Sequence, residues 1–167
     1  DFKKALGGLL AEGATKFLID LRNNGGGITD QALECVSYLL PKNAPLLTIK
    51  SKAEGLQTVT NVMSGFDFPV TVLVNENTAS AAEIFTSALK YNNRAEVVGK
   101  TTFGKGTMQN TASLGGYGGI KLTVAEFCGP NGEEINDCGI IPDHMIENVK
   151  VPVGDGYFDA LTYERKY

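Results

Sequence analysis

The sequence predicts an α/β fold, a core of mostly parallel strands alternating with helices, plus β-hairpins. Three observations lead there. Apolar runs of strand length at 16–21 and 69–74 are each followed by polar turn residues and then by apolar residues at helical spacing. Glu54-Gly55 and the glycine-rich stretch Gly115 to Gly119 each divide β-branched segments, as hairpin turns do. The length of 167 residues and the 43% hydrophobic content suit one domain with one core.

Taken in order, residues 2–12 place Phe2, Leu6, Leu9 and Leu10 on one helical face, and Gly13 supplies a C-terminal stop. Residues 16–21 form a buried strand, and Asn23, Asn24 and three glycines make a strand-to-helix turn. Thr29 and Asp30 can cap a helix over 30–40, which Pro41 ends. Segments 45–51 and 57–63 pair as a hairpin, and 69–74 is a second buried strand. A helix over 80–91 carries Ala81, Ile84, Phe85, Ala88 and Leu89, and Val97-Val98 is a short strand. Strands over 107–114 and 119–127 follow, then Gly139 to Asp143 and a closing helix after Gly156.

Composition removes several function classes. Fifteen basic against nineteen acidic residues leave a formal charge of −4 without a Lys/Arg block, so nothing favours nucleic acid or an anionic membrane. No apolar run approaches the ~20 residues that span a bilayer. Cys35, Cys128 and Cys138 lack metal-ligand spacing. Cys35 reads as a small core residue. Cys128 and Cys138 flank a turn, where a disulfide and two separate thiols fit equally. The chain opens Asp-Phe-Lys-Lys with no Met or signal peptide, so a fragment of a longer chain is expected.

Three stretches could carry chemistry. In Asp20-Leu-Arg-Asn-Asn-Gly-Gly-Gly27 the glycines let backbone N–H groups face a ligand, as in an oxyanion hole. The same loop also suits a strand-helix turn that only needs positive φ. In Asn75 to Glu83, Ser80 opens a helix, where dipole and free N–H groups favour a developing anion. Ser80-x-x-Glu83 is equally a capping box, and there is no G-x-S-x-G elbow. Gly99 to Gln109 nearly matches a phosphate loop, but Gly106 stands where the magnesium-binding hydroxyl belongs and no helix follows. Lys105 alone could be a solvated turn residue.

Their joint occurrence matters more. A serine nucleophile needs a base, and His144, the single histidine, lies far along the chain. A lysine can serve instead if it is folded inward, because desolvation disfavours the ammonium. Lys105 between two glycines has room for that, and Gln109 could hold its amine by a neutral hydrogen bond.

Asp20-Leu-Arg-Asn-Asn-Gly-Gly-Gly27, Asn77-Thr-Ala-Ser-Ala-Ala-Glu-Ile84 and Thr102-Phe-Gly-Lys-Gly-Thr-Met-Gln109 resemble, in order, the three signature blocks of the C-terminal processing (tail-specific) peptidases. The interval from Ser80 to Lys105 (105 − 80 = 25) and that from Lys105 to Gln109 (109 − 105 = 4) match the family's serine–lysine–glutamine arrangement. Gly139 to Asp143 also resembles the family's closing segment, so the likeness covers roughly residues 2–146. It implies a serine endopeptidase with Ser80 as nucleophile, Lys105 as general base, Gln109 holding Lys105, and the Gly26 and Ala81 N–H groups as oxyanion hole. It further implies a ClpP/crotonase-like fold and no metal or organic cofactor. Substrates would be proteins or peptides with apolar C-terminal tails, cut in the periplasm or envelope of a bacterium, outside the cytoplasmic membrane.

The chain departs from the family pattern in places. Gly25 stands where proline is frequent, and Tyr91 where an acidic residue is frequent. The PDZ domain and the strand that precede the first helix in the family are missing, so residues 1–167 are expected to form a single protease-core domain. A non-catalytic ligand- or peptide-binding module on the same fold is the alternative, with a nucleotide binder and an acyl-CoA enzyme further off.

Overall fold

The structure is a computed structural model that describes residues 1–146 and the strand segments 150–153 and 156–159. Its parallel sheet is built from β1 (Phe17–Asp20), β4 (Val70–Val74), β5 (Ala95–Gly99) and β8 (His144–Met145), in the order β1-β4-β5-β8. A second, antiparallel sheet has the order β3-β2-β7-β6, with β2 (Pro45–Ser51), β3 (Gly55–Thr60), β6 (Thr107–Ser113) and β7 (Gly119–Cys128). Both expected hairpins are therefore present, and they join into one sheet through β2 and β7, where Thr48 faces Cys128. β9 (Lys150–Val153) and β10 (Gly156–Asp159) pair antiparallel. The closing helix expected after Gly156 is thus corrected at 156–159, which is strand; residues 160–167 lie outside the described residues.

Three helices, α1 (Phe2–Ala11), α2 (Thr29–Ser37) and α3 (Ala81–Tyr91), complete the core. α3 is buried at every position from Ala81 to Leu89 and touches both β5 and β2, so it links the two sheets. Its hydroxyls stay internal: Thr86 Oγ1 donates to the Ala82 carbonyl (2.8 Å) and Ser87 Oγ to that of Ile84 (3.0 Å). Around it pack Val70, Val72, Val74 and Val97 of the parallel sheet, Leu46 and Leu47 of β2, and Val36, Leu39 and Leu40. Each such aliphatic side chain contributes about 1.5–3 kcal/mol on burial.

Two boundaries differ from the sequence reading, and one side chain explains both. α2 stops at Ser37 and β3 at Thr60 because Asn61, 1% exposed, leaves the strand to cap the helix end. Its Nδ2 donates to the carbonyls of Ser37 (3.0 Å), Leu40 (2.8 Å) and Pro41 (3.2 Å). All three cysteines are free thiols: Cys128 ends β7, Cys138 is exposed in a turn, and Cys35 is half-buried rather than core.

Candidate active site

The three stretches meet because of topology. β1, β4 and β5 are adjacent and parallel, so their carboxyl ends lie side by side, and each is followed by one stretch: 21–27, 75–80 and 100–106. In open parallel sheets this edge is where ligands are held. Segments 25 to 80 residues apart in sequence thus become neighbours in space.

The first two loops are stitched together by amides. Asn75, 5% exposed, accepts the Asn23 N–H (2.9 Å) and Asn77 N–H (3.1 Å) on Oδ1 and donates through Nδ2 to Asn23 Oδ1 (2.8 Å). Asn77 Nδ2 donates to the same Asn23 oxygen (2.9 Å). Thr78 Oγ1 donates to the Leu21 carbonyl (2.7 Å), and Ala79 N–H to that of Asn24 (3.0 Å). On β1's end Arg22 grips Asp20 through Nε (2.9 Å) and a terminal nitrogen (2.7 Å). Those hydrogen bonds hold the Asp20 carboxyl below its ordinary range against the opposing effect of partial burial.

Ser80 takes φ 57° and ψ −122°, a left-handed conformation that costs a non-glycine residue about 1–3 kcal/mol. The strained strand-to-helix turn is present although the G-x-S-x-G pattern is not. The capping box is also formed. Gly26, with φ 92°, lies so close that a Cβ there would sit 2.6 Å from the Ala79 carbonyl and 2.7 Å from Ala81 N. Only glycine permits that approach. The Gly26 N–H is engaged by Asn24 Oδ1 at 2.9 Å.

Glu83 was read from the sequence only as half of a cap, and its place is larger. Fully buried, it receives the Ser80 N–H (2.8 Å) and Lys105 N–H (2.9 Å) on Oε2. On Oε1 it receives the Gly104 N–H (2.7 Å) and Thr102 Oγ1 (2.6 Å). Thr102 Oγ1 in turn accepts the Ile140 N–H at 2.7 Å. One carboxylate therefore fixes the backbone of the serine loop to the backbone of the lysine loop. The available signal was a charged residue inside a helix whose neighbours are otherwise apolar or small.

Ser80, Lys105 and Gln109 line one cavity of about 590 Å³ together with Gly27, Ile49 and Phe127. A β-bulge at Met108/Gln109 against β7 sets the direction of Gln109. Ser80 is half-buried, whereas Lys105 and Gln109 are exposed. Among the described residues no side-chain hydrogen bond or ion pair engages the Lys105 amine, so the expected inward-folded lysine is not formed here; the flanking glycines leave it free to reach solvent. The loop runs from Gly104 into β6 and not into a helix, which removes the phosphate-loop geometry. His144 lies on β8, two strands from β4, with Nε2 3.3 Å from Glu96, and does not line this cavity. No group of three or more potential metal ligands occurs among the described residues.

Comparison with known proteins places the chain in a family. The pattern of peptidase family S41 matches residues 1–146. The carboxyl-terminal-processing protease of Synechocystis sp. is 38% identical over 143 residues, 86% of this chain and 34% of the relative. The protease of the same name from Picosynechococcus sp. is 37% identical over 153 residues, 90% of this chain and 36% of the relative. The solved photosystem II D1 C-terminal processing protease superposes with a TM-score of 0.78 at 32% identity, over 87% of this chain and 38% of that one. Mature CPAF, 16% identical with a TM-score of 0.71, shares the fold. The chain spans about a third of the length of the curated relatives it matches. By the length of that match and by its likeness to those relatives, the chain belongs to peptidase family S41.

Proposed function

We propose that this chain is the catalytic core of a serine endopeptidase of the C-terminal processing type, with Ser80 as nucleophile and Lys105 as general base. One observation carries it: adjacent parallel strands deliver a strained serine and a lysine to the same cavity, braced to each other through Glu83. In this reading Ser80 Oγ attacks the carbonyl carbon of a substrate peptide while the Lys105 amine takes the hydroxyl proton. The Ala81 N–H and the Gly26 N–H, once Asn24 yields it, hold the oxyanion. Collapse breaks the C–N bond, and Lys105 returns the proton to the leaving amine. Lys105 then takes a proton from the water that attacks the acyl carbon and passes it to Ser80 Oγ as the ester C–O bond breaks, which frees the acid and restores the hydroxyl and the amine. Gln109 orients the lysine. A peptide filling the cavity would exclude bulk water from around Ser80 and Lys105. No step calls for a cofactor.

The family likeness supports a ClpP/crotonase-like classification, protein substrates with apolar C-terminal tails, a PDZ domain elsewhere in the full-length protein and an extracytoplasmic bacterial setting. Protease protection of the native protein in intact cells, compared with lysed ones, tests the setting. For the dyad, Ser80→Ala and Lys105→Ala should each abolish cleavage by the full-length protein and leave its melting curve in place. Near-normal cleavage by Lys105→Ala would remove the lysine from the mechanism.

A second reading, a non-catalytic peptide-binding module on the same fold, draws on two findings: the solvent-exposed Lys105 amine and the Gly26 N–H already held by Asn24. A fluorophosphonate probe separates the two readings, since only the peptidase labels at Ser80.

A further inference from the structure

Glu83 holds the lysine loop through the Gly104 and Lys105 N–H groups only. A second clamp comes from the turn at 135–139. There Asp137 N–H donates to the Gly104 carbonyl (2.8 Å), and Asn136 Oδ1 accepts the Gly106 N–H (3.1 Å). The approach is close. A Cβ on Gly106 would lie 2.7 Å from Asn136 N and 2.8 Å from Asn136 Cβ, and one on Gly104 2.9 Å from Gly139 N. Both glycines beside Lys105 are therefore needed for this turn to pack against the loop. The turn is itself firmly placed. Ile135 and Ile140, both fully buried, anchor its ends, and the Ile135 carbonyl accepts the N–H groups of Cys138 (3.2 Å) and Gly139 (2.9 Å). Asn136 Nδ2 donates to Asp137 Oδ2 at 2.9 Å, which leaves Oδ1 turned to Gly106.

The direction in which a side chain leaves the backbone is set by the two rigid peptide planes that meet at its Cα. At Lys105 the plane before the Cα is held at both ends, the Gly104 carbonyl by Asp137 and the Lys105 N–H by Glu83. The plane after it carries the Gly106 N–H, and among the described residues Asn136 Oδ1 is the one hydrogen-bond partner of that plane. We propose that Asn136 is a positioning residue for the general base: by fixing the peptide plane between Lys105 and Gly106, it sets the line along which the lysine reaches toward Ser80. The proposal rests on the peptidase reading and concerns its proton-transfer step, where a misplacement of about 1 Å costs about a hundredfold. Asn136 does not line the cavity that Ser80 and Lys105 share, so its loss should appear in kcat and not in KM.

The test uses the full-length protein at a temperature where every variant is folded. Asn136→Leu keeps the volume and removes the acceptor. The double variant Asn136→Asp/Asp137→Asn exchanges the two side chains, which keeps an acceptor for Gly106, the amide–carboxylate bond and the net charge. Asn136→Leu should lower kcat by roughly tenfold or more with KM within about twofold, and fluorophosphonate should label Ser80 more slowly to match. The exchanged pair should recover kcat to within about threefold of wild type. Where Asn136→Leu fails to fold, Asn136→Ala removes the same acceptor without bulk and takes its place. A wild-type kcat in the variant without the acceptor, a loss confined to KM, or an exchanged pair as slow as that variant overturns the positioning role and leaves the peptidase reading standing. Absence of both cleavage and Ser80 labelling in the wild-type protein overturns both.

Discussion

Replacing Glu83 by Gln changes two atoms' chemistry and almost no volume, so it isolates what the buried carboxylate does. All four neighbours of Glu83 are donors: the N–H groups of Ser80, Gly104 and Lys105, and the Thr102 hydroxyl. A carboxylate accepts on both sides, while an amide must point its NH2 at one of them. Toward Ser80 and Lys105 it would face two N–H groups and orphan both. Toward Thr102 it meets a hydroxyl that can turn to accept, so it avoids two fixed N–H groups, but the Gly104 N–H and the Thr102 O–H both lose their acceptor. The cost is two buried donors without this partner, about 1–3 kcal/mol each, and lost charge assistance on the bonds that remain, about 1 kcal/mol each. Local relaxation offsets part of that, which gives roughly 3–5 kcal/mol, in the range for breaking a buried charged group's partnership. Urea unfolding of wild type and variant reads this as a lower midpoint at unchanged slope. Because the carboxylate joins the serine and lysine loops, reactivity should fall as well. Fluorophosphonate labelling of Ser80 should slow at least a hundredfold, the penalty for roughly 1 Å of misplacement. Asp143→Asn, a loss of stability remote from Ser80, serves as control and should label at near-normal rate. A variant within about 1 kcal/mol of wild type that labels normally would refute the brace.

Three further outcomes follow from the same contacts. Gly26→Ala forces a Cβ to within 2.6 Å of the Ala79 carbonyl at φ 92°, so it should push the loop off Ser80. A melting temperature lowered by several degrees and a hundredfold or greater loss of labelling are expected. Asn75→Ala orphans the Asn23 and Asn77 N–H groups, while Asn23 Oδ1 keeps the Asn77 amide, and urea unfolding should register about 2–4 kcal/mol. At Asp143, burial tends to raise the carboxyl's pKa. The Lys90 hydrogen bond, the Val97 N–H and the Lys90 and His144 charges outweigh that and hold it below the ordinary aspartate value. Such a group stabilises the fold fully above its unfolded value and loses the effect as pH falls through its lower folded value. The urea midpoint should thus be flat from pH 7 to about 5 and drop below about 4, more shallowly in Lys90→Met than in wild type.

Much of the fold was legible because it depends on short-range patterning. Apolar runs marked β1 and β4, glycine turns marked both hairpins, and helical spacing marked all three helices. Boundaries failed where a distant partner decided them. Asn61 has no local signature of a helix cap, since it bonds the end of α2 some twenty residues upstream. The bulge that sets Gln109 is likewise a property of two strands in register, invisible in either alone.

At the site, residue identities were legible and their relations were not. Motif spacing pointed to Ser80, Lys105, Gln109 and Gly26 as a set, yet spacing says nothing of which N–H groups are already satisfied. The amide net around Asn75 and the carboxylate of Glu83 settle that in three dimensions, with bonds spanning 19 to 57 residues of sequence. Lys105 shows the same divide from the other side. Its backbone N–H is fixed by Glu83, while its side chain, between two glycines, reaches solvent. In the mechanism proposed above, the free side chain needs water excluded from the cavity, and a peptide occupying it would do so. A lysine base on such a loop would then be assembled by its substrate, which would restrict its reactivity to chains that fill the cavity.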